Sequence, residues 1–104
     1  MTTNDNDIEL FKGETLRIMG TLEDDLGNTI DLTGASISGT YTLENTTYNF
    51  TGSITNALLG QFQMIHLTAA TTAALPKSKG TYKAFVTFAS GDKDVIAHGD
   101  FKVL

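Results

Sequence analysis

The residues of this chain that could do chemistry are few and widely spaced. Its two histidines, His66 and His98, each lie inside an alternating segment that predicts a β-strand. His98 and Asp100 are two positions apart, so they share a strand face and could form a histidine–carboxylate pair. Nucleophilic catalysis, however, needs a nucleophile beside a base that is itself oriented by a third group. We therefore expect both histidines to face solvent and the chain not to be an enzyme.

One acidic turn could supply oxygen ligands to Ca²⁺. Asp24, Asp25, Asn28 and Asp31 stand close together in a loop-forming segment, and carboxylate and carbonyl oxygens are the ligands that Ca²⁺ prefers. Their spacing does not match the helix–loop–helix calcium motif, which closes with a glutamate. A solvated turn is the favoured interpretation here and at residues 92–94, so no metal and no cofactor is expected, with calcium at an acidic turn as the open alternative.

The composition indicates one domain made inside a cell. A chain of 104 residues with 40% hydrophobic residues can bury one core. There is no cysteine for disulfides, and residues 1–7 lack the basic and apolar regions of a signal peptide. The glycosylation sequons at Asn45 and Asn49 are therefore interpreted as accidental. No apolar run reaches the length that spans a membrane.

The net charge of −5 is unevenly distributed. Residues 1–31 hold eight acidic residues against Lys12 and Arg17, a net charge of −6, whereas residues 32–104 carry +1. Nucleic-acid binding needs clustered lysine and arginine, so this balance argues against DNA or RNA as a partner. The acidic half is either a solvated face or a patch that docks a basic partner.

Alternating apolar residues separated by Gly, Asn and Asp turns predict short strands. The segments are 8–11, 15–23, 36–43, 47–54, 61–67, 81–89 and 95–104. Residues 68–75 predict one short helix, because their alanines favour helix, Thr68 can cap it and Pro76 ends it. The pattern predicts an all-β, immunoglobulin-like sandwich of about 7–8 antiparallel strands spanning residues 8–104, with a small closed barrel as the alternative. Residues 1–7 are predicted to be a flexible N-terminal arm.

Three apolar residues are candidates for an intersubunit interface. Phe85 falls on the strand face opposite Tyr82 and Phe88, and Ile96 and Leu104 fall on the matching face of the last strand. Exposed apolar residues that line up across paired strands suggest an interface. Core packing on both faces is the alternative interpretation.

An ordered series of short phrases runs along nearly the whole chain. The phrases are 30–35 (IDLTGA), 52–54 (GSI), 60–62 (GQF), 67–71 (LTAAT), 75–76 (LP), 80–82 (GTY) and 99–103 (GDFKV). Over residues 10–104 this series resembles the immunoglobulin-like modules of tailed-phage virion proteins. It is most similar to the N-terminal domain of the phage baseplate upper protein family. One departure is Thr29, which stands where that family has a proline.

The resemblance implies a non-enzymatic virion protein that is synthesised in the host cytoplasm. Such a protein is expected to form homo-oligomers and to dock to baseplate, tail or fibre components, with no catalytic residues carried over. A head decoration protein is one alternative. The other is a host-surface carbohydrate-binding or adhesive module, for which Tyr41, Tyr48 and Tyr82 are the candidate contacts although their alternation points them inward.

Overall fold

The alternating segments form two facing β-sheets in the computed structural model, which describes residues 4–5 and 7–104, with side chains from Asp7 onward. The strands are β1 (Asn4–Asp5), β2 (Ile8–Leu10), β3 (Leu16–Thr21), β4 (Ser36–Leu43), β5 (Thr46–Thr51), β6 (Ser53–Asn56), β7 (Gln61–Leu67), β8 (Lys79–Thr87) and β9 (Lys93–Val103). A 3₁₀ turn, η1 (Ala57–Leu59), precedes β7, and a short helix, α1 (Ala69–Ala73), follows it. The predicted all-β class and short helix are confirmed.

The strand order is that of an immunoglobulin-like sandwich. Among the described residues, six strands form one sheet in the order β1-β9-β8-β4-β5, with β2 also on β9, and three form the other in the order β3-β7-β6. The prediction of antiparallel strands is wrong for β2, which pairs with β9 in parallel. Strand β1, which lies in the predicted arm, also pairs with β9 in parallel. Alternation reports which side chains share a face and carries no information on strand direction, so the sequence did not reveal this pairing.

The core lies between the two sheets and is filled by the inward residues of every long strand. In β4 and β8 the alternation holds throughout, so that Tyr41, Tyr82 and Val86 are all buried. Phe101 of β9 is fully buried beneath them. Removing this apolar surface from water is the main force that holds the sheets together.

The predicted strand 47–54 is divided at Gly52, where the chain crosses from one sheet to the other. Residues before it form β5 in the larger sheet, and residues after it form β6 in the smaller one. A Cβ atom at Gly52 would overlap the carbonyl oxygen of Gln63 and lie 2.8 Å from that of Met64. Only glycine allows the two backbones to approach this closely, so the crossover depends on this residue.

The N-terminal segment is docked where the structure describes it. Residues 1–3 and 6 of the predicted arm lie outside the described residues. Asn4–Asp5 pairs with β9, and the Asp7 side-chain Oδ1 accepts a hydrogen bond of 2.9 Å from the Asp100 backbone N–H. This pairing covers the edge of β9, whose main-chain groups would otherwise lack strand partners.

Helix α1 is fixed to the rest of the molecule by one buried hydroxyl. Thr68 caps the helix as predicted, its Oγ1 accepting from the Thr71 N–H at 3.3 Å. The fully buried Thr72 Oγ1 donates to the Glu14 carbonyl at 2.7 Å and accepts from the Gly13 N–H at 3.1 Å. Thr72 therefore ties α1 to the loop between β2 and β3.

Among the described residues, no helix is long and apolar enough to span a lipid bilayer.

Candidate interaction surfaces

The larger sheet presents a broad polar surface on the side away from the core. This outer face consists of the outward residues of β4, β5, β8 and β9. A shallow depression of about 580 Å³ lies across it, lined by Thr40, Thr42, Thr81, Tyr82, Lys83, Phe85, His98, Gly99 and Asp100. Its lining combines hydroxyls, both signs of charge and one aromatic ring, so it suits contact with a polar surface or ligand.

Phe85, the first predicted interface residue, lies on the outer face and is partly exposed. The Lys93 Nζ atom lies 4.4 Å from the centroid of its ring, a cation–π distance. Val95 is its register partner on β9. Phe85 and Val95 therefore form a small apolar patch, and the Lys93 ammonium group lies against the Phe85 ring.

The prediction for Ile96 is wrong, because the side chain is 2% exposed within the core of its own chain. The register of β8 and β9 shifts here: Ala84 pairs with Ala97 and Phe85 pairs with Val95, so Ile96 has no opposite residue. A β-bulge of this kind inserts one residue and reverses the alternation beyond it. Ile96 and Ala97 consequently both point inward, which a strict period of two does not allow.

Leu104, the third predicted interface residue, lies far from Phe85. It is partly buried, and its backbone N–H donates to the Leu10 carbonyl at 2.8 Å while its own carbonyl accepts from the Lys12 N–H at 3.2 Å. It lies nine positions beyond Val95 along the chain, a span of roughly 30 Å. The structure therefore does not bring the three predicted residues together.

The outer face is basic although the chain as a whole is acidic. Its lysines on β8 and β9 are Lys79, Lys83, Lys93 and Lys102. They are accompanied by Asp100, which pairs with Lys79 at 3.2 Å, and by His98. Counting charge along the chain missed this patch, because such a count does not show which residues share one strand face. Their common outward register was the available signal.

The main negative region is the acidic loop, residues 23–31. The Asp24 Oδ1 accepts hydrogen bonds of 2.9 Å from the backbone N–H groups of Asn28 and Leu26. The bond from Asn28, followed by that from Leu26, holds the pKa of Asp24 below its ordinary value because both stabilise the charged form. This closed turn presents Leu26 at its tip with 86% of the side chain exposed.

Asp31, at the end of the acidic loop, is also engaged locally. Its Oδ1 accepts from the Thr33 Oγ1 at 2.6 Å and from the Thr33 N–H at 2.9 Å. These bonds lower the pKa of Asp31, the hydroxyl more than the amide. Two of the four candidate calcium ligands, Asp24 and Asp31, thus cap their own turns. Within the described residues, no three histidine, aspartate or glutamate side chains converge on a point that could hold a metal ion.

The histidines lie on different sheets. His66, on β7, is exposed as predicted, with its Nε2 3.4 Å from the Arg17 Nη2. His98 lines the depression of the outer face and is partly buried. The carboxylate of Asp100, which its spacing made a possible partner of His98, pairs with Lys79.

A second set of exposed apolar residues lies beside the acidic loop. Leu58 and Leu59 of η1 are 72% and 50% exposed. The Leu22 N–H donates to the Gly60 carbonyl at 2.8 Å, and the Leu32 N–H donates to the Ala57 carbonyl at 2.9 Å. These bonds fix η1 against the residues that flank the acidic loop. Leu58 and Leu59 are therefore exposed on a segment whose backbone is held in place. The sequence pattern did not reveal these two leucines.

The tyrosines considered for sugar binding face the core. Tyr41 and Tyr82 are buried, and Tyr48 is partly buried against Tyr41, with ring centroids 5.0 Å apart. Burial, together with the nearby Tyr48 hydroxyl, raises the pKa of Tyr41.

No protein-family model matches this chain, and no curated protein matches its sequence.

Proposed function

We propose that this chain is a non-enzymatic structural protein of a tailed-phage virion that oligomerises and docks to baseplate, tail or fibre components. The observation that supports this proposal is the separation of charge on the folded domain, with an apolar anchor in each region. The basic outer face surrounds Phe85, and the acidic loop presents Leu26. The resemblance to immunoglobulin-like modules of virion proteins supports the same assignment.

The outer face has the composition of a protein-binding surface. Phe85 supplies a partly exposed aromatic side chain, and the lysines and threonines around it form a polar rim. Binding energy in interfaces concentrates in such aromatic anchors, while rim charges steer the encounter and fix orientation. A partner surface with negative charge around an apolar residue is therefore its natural complement.

The acidic loop offers that complementary arrangement. Leu26 projects from a turn held by hydrogen bonds to Asp24, and Asp25 lies beside it. Because the two surfaces differ, contact between them is heterologous: the loop of one molecule meets the outer face of the next. The same chemistry also fits an acidic surface on another virion protein.

The test is rebinding to particles that lack this protein. Purified wild-type protein is expected to co-sediment with such particles in a density gradient, and the double variant Lys83→Glu/Lys93→Glu is expected to lose co-sedimentation. Lys12→Glu is the matched control, because it reverses a lysine outside the outer face. Absence of the wild-type protein from gradient-purified virions by mass spectrometry would overturn the virion assignment. Equal binding by wild type and double variant would overturn the role of the outer face.

A host-surface carbohydrate-binding module is the second candidate, and the depression on the outer face favours it. Its hydroxyls, with Lys83 and Asp100, could hydrogen-bond a sugar, and Phe85 could pack against one. A glycan array distinguishes the two functions. Binding above background that disappears in Phe85→Ala supports the sugar-binding function, and an array without signal removes it.

A further inference from the structure

The free edges of the two sheets are protected unequally. The edge formed by β1 and β2 carries Glu9, and the Asp7 carboxylate lies beside it. Strand β3 carries Arg17 and an irregular register after Ile18, and β6 is short and also irregular. Charges and bulges of this kind prevent edge-to-edge pairing. Strand β5 has neither: Thr46–Thr51 contains no charged residue, proline or glycine, and its register with β4 is continuous.

The open side of β5 presents a regular set of main-chain groups. Glu44 and Asn45 form the two-residue turn before it, with φ of 50° and 66°, so the flanking residues of the hairpin hydrogen-bond to each other. Antiparallel pairs then alternate between bonded and non-bonded positions. As a result, the N–H and C=O groups of Thr47, Asn49 and Thr51 point away from β4, toward the edge at which the sheet ends.

The sequence of this edge is nearly the same read in either direction. Residues 47–51 are Thr-Tyr-Asn-Phe-Thr, with Asn49 at the centre, a threonine at each end and an aromatic residue on each side. Two identical strands that pair about a two-fold axis place each residue opposite its mirror position. Centred on Asn49, such a pair matches Thr47 with Thr51, Tyr48 with Phe50 and Asn49 with itself. This symmetry indicates a second copy as the occupant of the edge.

Side chains on both faces of β5 suit that pairing. On the inner face, Tyr48 is partly exposed and already stacked on Tyr41 at 5.0 Å, so an aromatic residue from another copy extends the stack. On the outer face, the hydroxyls of Thr42 and Thr47 lie 3.2 Å apart. Cross-strand aromatic pairs and threonine pairs each stabilise a sheet. No like charges are brought together in residues 47–51.

We propose that two copies of this chain pair through β5, antiparallel and centred on Asn49, to form one sheet continuous across both molecules. The bonds join the main-chain groups of Thr47, Asn49 and Thr51 to those of Thr51, Asn49 and Thr47 in the second copy. This contact goes beyond the proposed docking function and does not depend on it, since it uses neither the lysines nor the acidic loop. Because main-chain hydrogen bonds and aromatic pairs carry it, its strength is insensitive to salt, unlike a contact between exposed charges.

Cysteine cross-linking tests the register directly. The chain has no cysteine, so Asn49→Cys introduces a single thiol. Opposed residues in a bonded antiparallel pair have Cα atoms about 5.5 Å apart, a separation that a disulfide spans. We expect Asn49→Cys to form a disulfide-linked dimer under mild oxidation. Thr40→Cys is the matched control, since Thr40 is the register neighbour of Asn49 one strand inside the edge, and it is expected to form no disulfide-linked dimer.

Sedimentation equilibrium tests the affinity. At high salt, where contacts between exposed charges are screened, wild-type protein is still expected to dimerise with rising concentration. Asn49→Lys, which opposes two charges at the two-fold axis, is expected to weaken dimerisation at least tenfold, and an equimolar mixture with Asn49→Glu is expected to restore it. Circular dichroism verifies that both variants fold.

Three results would each overturn the proposal: a wild-type monomer at millimolar concentration, equal dimerisation by Asn49→Lys, or equal cross-linking by Thr40→Cys. A dimer that high salt or Lys83→Glu dissolves instead belongs to the charged surfaces of the proposed function, and it also overturns pairing through β5.

Discussion

The ring of Tyr41 lies against that of Phe101, with centroids 4.5 Å apart and planes inclined by 16°. Tyr48 stacks on Tyr41 at 5.0 Å, and Tyr82 meets Phe101 edge-on at 6.4 Å. Four strands of the larger sheet thus contribute to one aromatic column on its inner side. Offset-stacked and edge-on pairs of this kind stabilise a core beyond the area that they bury.

Phe101→Ala is expected to lower the free energy of unfolding by about 3–5 kcal/mol, because it leaves a cavity and removes two ring contacts. Urea denaturation followed by circular dichroism measures this change. Phe11→Ala is the control: its ring is 63% exposed, and its loss is expected to cost less than about 0.5 kcal/mol. Similar costs for the two variants would contradict the central place of Phe101.

Gly80→Ala is expected to destabilise the protein by about 3 kcal/mol or more, because the added Cβ overlaps the carbonyl of Thr42 on the neighbouring strand. Gly91→Ala is the comparison, because it adds backbone strain without a steric overlap. Gly91 has a φ of +94° and open space around its Cβ position, so only a conformational cost of about 1–2 kcal/mol is expected there. Thermal unfolding of both variants under one condition gives the ranking, and a smaller loss for Gly80→Ala would refute it.

Thr72→Val is expected to cost about 1–3 kcal/mol although it preserves the shape of the side chain. The substitution leaves the Glu14 carbonyl and the Gly13 N–H without the hydroxyl that they share. Amide hydrogen exchange locates the effect: the Gly13 N–H is expected to lose protection. Thr71→Val, on the exposed side of the same helix, serves as the comparison and should leave Gly13 protected.

The turn of the acidic loop is expected to open at low pH. The pKa of Asp24 is lower in the folded protein than in the unfolded chain. Its stabilising contribution is therefore complete above the unfolded value of about 3.9 and is lost as the pH falls through the lower folded value. A carbon-13 titration should show the Asp24 carboxyl protonating with a midpoint below its ordinary pKa, and the Asn28 amide shift changing in step. A midpoint at or above the ordinary value would contradict the hydrogen-bonded turn.

Much of the fold was predictable because alternation survives wherever a strand is regular. The predicted segments 36–43 and 61–67 coincide with β4 and β7. The pattern failed where one residue changes the geometry: at Gly52, where a strand leaves its sheet, and at Ile96, where a bulge inserts a residue. Neither change alters hydrophobicity along the chain, so periodicity does not reveal it.

The surfaces were harder to predict than the core. Phe85 was identified because it breaks the apolar alternation of a single strand. The lysine patch combines Lys79 and Lys83 with Lys93 and Lys102, and these meet only through the register of β8 with β9. Their placement on one face follows from strand pairing and not from an excess of lysine in one segment, so a basic face can arise within an acidic chain.

The parallel pairing of the first and last strands also determines how the domain responds to tension. Ile8 lies opposite Phe101 and Leu10 opposite Val103, with both strands running in the same direction. Opposed pulling forces applied on the N-terminal side of β2 and the C-terminal side of β9 slide these strands along each other. All the hydrogen bonds of the pair then bear load at once instead of breaking one after another. The domain is consequently built to resist stretching through its ends, with β2 and β9 as its mechanical clamp.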